Sequence, residues 1–177
     1  MKNIFIGFLL IFLDFNLNLG GSTLEVLPDF IGYIFMVNGL AEMVGESTQF
    51  IKVKPYASGM AVFTGILYLL DLFGISALLG VFVYILAIVA IAVSLYISYC
   101  IVIGVQEMEL NRHTFLDGGN LKSAWNYLAV YSASTLLAML IPSFAIIIVI
   151  FGYIVVICFL VAFNKSKNLY DEMFRTL

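Results

Sequence analysis

Six long apolar runs, separated by short polar breaks, occupy most of this 177-residue chain. Runs of this kind have no polar face to turn toward water. Their natural solvent is a bilayer, which asks for about 20 apolar residues per helical span. The breaks are chemically specific. Gly20-Gly21 stops the first run, and Pro28 opens the second at a first-turn position where its missing N–H has no helical partner to lose. Pro55 opens the third run, 72–76 turns into the fourth, and Asp117-Gly118-Gly119-Asn120 comes before the fifth. Pro142-Ser143 divides the fifth run from the sixth. The spans so defined are 3–19, 28–44, 56–73, 77–105, 123–141 and 144–163. The expected fold class is therefore all-α: a polytopic integral membrane protein, a six-transmembrane-helix bundle forming one domain over 1–177. Ser22-Thr23-Leu24-Glu25 has capping-box spacing, which predicts a short helical turn in the first outer loop.

Charge placement gives the orientation. Lys2, Lys52, Lys54, Arg112, Lys122, Lys165, Lys167 and Arg175 fall at the N-terminus, in loops 2 and 4, and in the polar tail. With six spans these segments share one side of the membrane, while loops 1, 3 and 5 carry no lysine or arginine. The positive-inside rule makes the basic side cytoplasmic, with both termini there. Composition agrees, at 63% hydrophobic and 11% charged residues with mean hydropathy +1.11. A net charge of −3 without a basic run argues against a nucleic-acid partner. The stretch 4–13 behind Lys2 has the polarity of a signal peptide, but no Ala-x-Ala-type site follows. It is read as a retained span.

Ionisable groups within spans are costly and are functional candidates by default. At 1.5 Å per helical residue, Asp14 lies roughly 16 Å along span 1 and Asn38 about 15 Å along span 2 from the other side, similar depths. Glu42 is one turn further inward on the face of Asn38, Asn18 one turn above Asp14, and Asp71 near the outer end of span 3. Asp29 begins span 2 at the positive end of its helix dipole. These residues form an expected ladder from outside to inside, with Asp14 and Asn38 as the central pair and Asp29 at the mouth. No lysine or arginine lies within a span to neutralise the carboxylates. Such a site would take a small solute or cation, and the acidic outer face favours cations.

Other signals are structural. Ala57, Ala61 and Gly65 in span 3, and Ala90, Ser94 and Ser98 in span 4, repeat at four-residue spacing and predict close helix approach. Tyr56, Tyr99, Trp125 and Tyr127 fall where interfacial rings anchor helices. Cys100 and Cys158 lie in apolar helices and read as small buried hydrophobes. One histidine, His113, cannot build a zinc site, so no metal is expected. HExxH, GxSxG and P-loop motifs are absent, and no catalytic residue or cofactor is assigned.

The hairpin from Asp14-Phe15-Asn16 through Leu27-Pro28-Asp29-Phe30-Ile31-Gly32-Tyr33 to Gly39-Leu40 resembles a group of small multispan membrane proteins of Firmicute-type bacteria. Gly104-Val105-Gln106-Glu107 and Trp125 look like that group's second landmark. The resemblance covers about a quarter of the chain and implies a bacterial plasma membrane, with no assigned activity. In size and topology the chain is also similar to substrate-binding subunits of energy-coupling-factor importers. Their span-1 Ala-x-x-x-Ala motif has no counterpart here, since Ala57-x-x-x-Ala61 belongs to span 3. The leading expectation is transport-type binding of a small solute or cation among spans 1–3. The alternative is a non-catalytic membrane subunit or scaffold, meeting a protein partner through the cytoplasmic loop 106–122.

Overall fold

The computed structural model describes residues 1–12, 16–19, 22–25, 28–75, 80–140 and 145–175. Within them run α1 (Lys2–Phe12), a hairpin of β1 (Asn16–Leu19) and β2 (Ser22–Glu25), α2 (Asp29–Glu42), α3 (Thr48–Leu72), α4 (Phe82–Arg112), α5 (Gly118–Leu140) and α6 (Ala145–Arg175). Each helix packs against the next in sequence, and α6 returns to pack on α1. The helices thus close into a ring. Among the described residues, three helical stretches are long and apolar enough to cross a membrane: Thr48–Leu72, Phe82–Arg112 and Ile150–Arg175.

The tightest seam joins α1 to α2. A Cβ placed on Gly7 would lie 2.7 Å from the Gly32 carbonyl oxygen, and one on Gly39 would lie 2.6 Å from the Ile4 nitrogen. Only hydrogen at these positions lets the two backbones touch. The seam buries Ile4, Phe8, Tyr33, Met36 and Leu40. Phe8 then meets Phe159 and Phe163 edge-on, at centroid distances of 5.2 and 5.1 Å, which closes the ring onto α6.

Several boundaries differ from the sequence expectation. The first helix ends at Phe12, not Leu19, and 16–19 and 22–25 form paired strands where the sequence predicts a helical end and a helical turn. Their register is antiparallel, from Asn16 opposite Glu25 to Leu19 opposite Ser22. Asn16-Leu17-Asn18-Leu19 alternates polar and apolar, a period of two that a helix cannot use. The residues between the strands in sequence are Gly20-Gly21, a dipeptide suited to two-residue hairpins, and both lie outside the described residues.

Pro55 does not open α3 but lies inside it. The helix starts earlier because Ser47 caps it, accepting from the Gln49 N–H at 3.1 Å. The expected loop 106–122 is mostly helical. α4 continues to Arg112, where His113 adopts the left-handed conformation that ends helices, and α5 begins at Gly118. Glu109 fixes that start by accepting the Leu116 and Gly118 N–H groups, both at 3.1 Å. The polar tail beyond 163 continues α6 to Arg175. Cys100 is buried as expected, but Cys158 is exposed on the outward face of α6 beside Ile154, Ile157 and Val161.

Candidate functional site

Ring closure leaves a cavity of about 300 Å3 to which all six helices contribute. Asp29 and Tyr33 reach it from α2, Thr64 from α3, Ser94 and Ser98 from α4, and Tyr131, Ser132 and Thr135 from α5. Ile11 and Phe12 of α1, Met60 of α3, Leu128 of α5 and Val156 of α6 add apolar wall. Tyr33 is buried, and its hydroxyl is in hydrogen-bonding contact with Ser94. The ring of Tyr131 occupies the space a side chain at position 152 would need, so Gly152 is what lets it lie there.

Four of the hydroxyls share one property. Thr64 donates to the Met60 carbonyl at 2.8 Å, Ser98 to Leu95 at 3.0 Å, Ser132 to Leu128 at 3.0 Å and Thr135 to Ser132 at 2.7 Å. Each hydroxyl proton is thereby committed to its own helix, leaving oxygen lone pairs as the remaining capacity. Ser98 already uses one, accepting from the Trp125 indole N–H at 3.0 Å. With the Asp29 carboxylate added, these side chains give the lining a set of hydrogen-bond acceptors. It suits a group that donates.

Below the cavity, Trp125 packs on Tyr99 at 4.9 Å, and the Lys122 ammonium stands over both rings at 4.1 and 3.9 Å. Burial pulls the Lys122 ammonium below the usual lysine range. Further toward the basic end the polar groups meet one another. Arg112 grips Glu46 with two bonds of 2.7 and 2.6 Å. The Glu107 carboxylate accepts from Ser47 at 2.6 Å, Gln49 at 2.7 Å and Thr48 at 3.2 Å. Buried Asp117 pairs with Lys165 at 2.7 Å and accepts from Asn120 at 2.7 Å.

Of the residues singled out in the sequence, Asp29 lines the cavity. Asn38 is on the exposed side of α2 with Ile34 and Phe35, away from buried Tyr33, Met36 and Leu40. Glu42, also exposed, accepts from Asn3 at 2.6 Å. Asp71 is exposed in the last turn of α3. Asn18 belongs to β1, opposite Thr23, and Asp14 lies outside the described residues. Asp29, Asn38, Glu42 and Asp71 are therefore not brought to one point. The four-residue spacing of Ser94 and Ser98 marks them in the sequence as packing residues, and Tyr131, Ser132 and Thr135 are not singled out there as site residues. The available signal was hydroxyls at helical spacing on two apolar helices, Ser94/Ser98 and Ser132/Thr135. Among the described residues, no group of three or more His, Cys, Asp or Glu side chains could hold a metal ion.

Fold and site together define a mostly helical chain with three helices long and apolar enough to cross a membrane and a partly polar cavity within the helix ring. Compared with known proteins, it matches no family model, no curated protein and no solved structure.

Proposed function

We propose that the protein is a six-span protein of a bacterial plasma membrane, with its basic end and both termini in the cytoplasm, and that its central cavity binds a small cation or hydrogen-bond-donating solute in the manner of a transporter. One observation carries this reading: all six helices converge on a cavity in which Thr64, Ser98, Ser132 and Thr135 already commit their hydroxyl protons to their own helices, so that their oxygens and the Asp29 carboxylate are acceptors in its lining. Outward faces support the membrane setting. Ile34 and Phe35 of α2, Tyr127 and Val130 of α5, and Ile154 and Val161 of α6 are exposed apolar groups that water would disfavour and lipid would not. By themselves α1 and α2 extend only about 16 and 21 Å against a core of about 30 Å, so the β1–β2 hairpin would stand at the outer level of the ring.

Trp125, the single tryptophan, reports on the cavity through its bond to Ser98. Purified protein titrated with propylammonium should show a saturable change in tryptophan emission. Ser94→Leu, which fills the cavity, should abolish that change while helical circular dichroism persists. A flat titration, or one unaltered by Ser94→Leu, would refute the site. Uptake of methylammonium into proteoliposomes then separates transport from static binding.

A second reading rests on Leu110 and Phe115, which are 72% and 69% exposed beside the charged residues of the basic end. They give a membrane subunit two apolar contacts for a cytoplasmic partner. Copurification that survives their replacement by serine would count against it.

A further inference from the structure

On the outer side of the α3–α4 pair, a second concavity of about 490 Å3 is lined by Pro55, Tyr56, Gly59, Met60, Phe63, Val89 and Val93. Apart from the Tyr56 hydroxyl its side chains are apolar. Met60 lines both this groove and the central cavity, so one flexible side chain forms part of the wall of each. Nothing lies within 4 Å of a Cβ built on Gly59, which leaves the groove floor open. Pro55, in the lining of the groove, removes a backbone donor from inside α3, in its third turn. A helix lacking that bond bends more easily than its neighbours.

We infer that the ligand of the cavity is a single-chain amphiphile that arrives from the bilayer between α3 and α4: its donor-bearing head lies among the acceptors of the cavity and its alkyl chain lies in the groove beyond Met60. The inference rests on the cavity reading above and adds the ligand's chemical class and route. A water-soluble solute has no use for an apolar groove that shares a methionine with its site. An amphiphile needs both spaces side by side, one polar and accepting, the other apolar and facing lipid. The groove's lining offers no counter-charge for a second polar group, which excludes a molecule with polar groups at both ends.

The test compares propylammonium with dodecylammonium below its micellar concentration, reading Trp125 emission in the full-length protein. Dodecylammonium should bind wild type at least tenfold more tightly than propylammonium. Gly59→Phe, which fills the groove, should erase most of that preference and leave propylammonium affinity within twofold of wild type. Gly59→Ala should retain both affinities. If the long-chain preference survives Gly59→Phe, the chain lies elsewhere and this inference fails while the cavity reading stands. If propylammonium fails to bind wild type, both fail. A dodecylamine bearing a photoreactive diazirine gives a reading in wild type alone. Adducts on Phe63, Val89 or Val93 support the route, and adducts confined to other helices overturn it.

Discussion

At the basic end of the ring, polar groups from different segments satisfy one another: Arg112 with Glu46, Lys165 with Asp117, and Glu107 with Ser47, Thr48 and Gln49. In the cavity, Thr64, Ser98, Ser132 and Thr135 instead donate to carbonyls of their own helices and turn oxygen toward an open space. The first arrangement ties segments together and uses up its polar capacity. Apart from the Trp125–Ser98 bond and the Tyr33–Ser94 contact, the second ties no helices together through the hydroxyls named, and its oxygens keep lone pairs for a ligand. Stability and binding should therefore separate when the two regions are mutated.

The largest expected effect sharpens the contrast by lying in neither region. Gly39→Leu forces a side chain into backbone 2.6 Å away and should cost at least about 2 kcal/mol, read as a lowered melting midpoint in detergent. At the basic end, Glu107→Leu leaves Ser47, Thr48 and Gln49 without their acceptor. It should cost about 2 kcal/mol of stability with propylammonium affinity unchanged. In the cavity, Thr135→Val removes an acceptor of nearly the same shape. A loss of roughly 1 kcal/mol in binding, with the melting midpoint held, is the expected result of the titration. Equal losses of stability in these last two variants would break the comparison. Arg112→Ala should cost less than about 1 kcal/mol and less again in high salt, because the pair is partly exposed. Smallest of all is Asn38→Leu, on an exposed face of α2, which should leave both readouts at wild type. A binding loss there would return the site to the ladder read from the sequence.

Misplaced boundaries have local causes. Pro55 looked like a helix start because proline is tolerated in first turns, yet Ser47 offers a stronger one through its bond to Gln49. The strand at 16–19 shows as an alternation before Gly20-Gly21, but those four residues adjoin a strongly apolar run and read as its end, while the capping-box spacing of 22–25 points to a helical turn. For Asn38, depth along the helix was legible and direction was not. The glycines of the α1–α2 seam fix which side of α2 faces inward, and they put Asn38 on the other side.

The sequence by itself determined the mostly helical class, three of the apolar stretches as long enough to cross a membrane, and the placing of every lysine and arginine outside the six apolar runs. These follow from composition and from local breakers, which act over a few residues. Only the tertiary structure decided that Ser94, Ser98, Tyr131, Ser132 and Thr135 share one space with Asp29, and that Met60 lines both that space and an apolar groove. The physical reason is the solvent. In water an amphipathic stripe marks the inside of a helix, but in helices apolar all round the inward face carries no such mark. It is fixed where helices meet: Gly7 on Gly32, Phe50 on Gly104 and Tyr131 on Gly152.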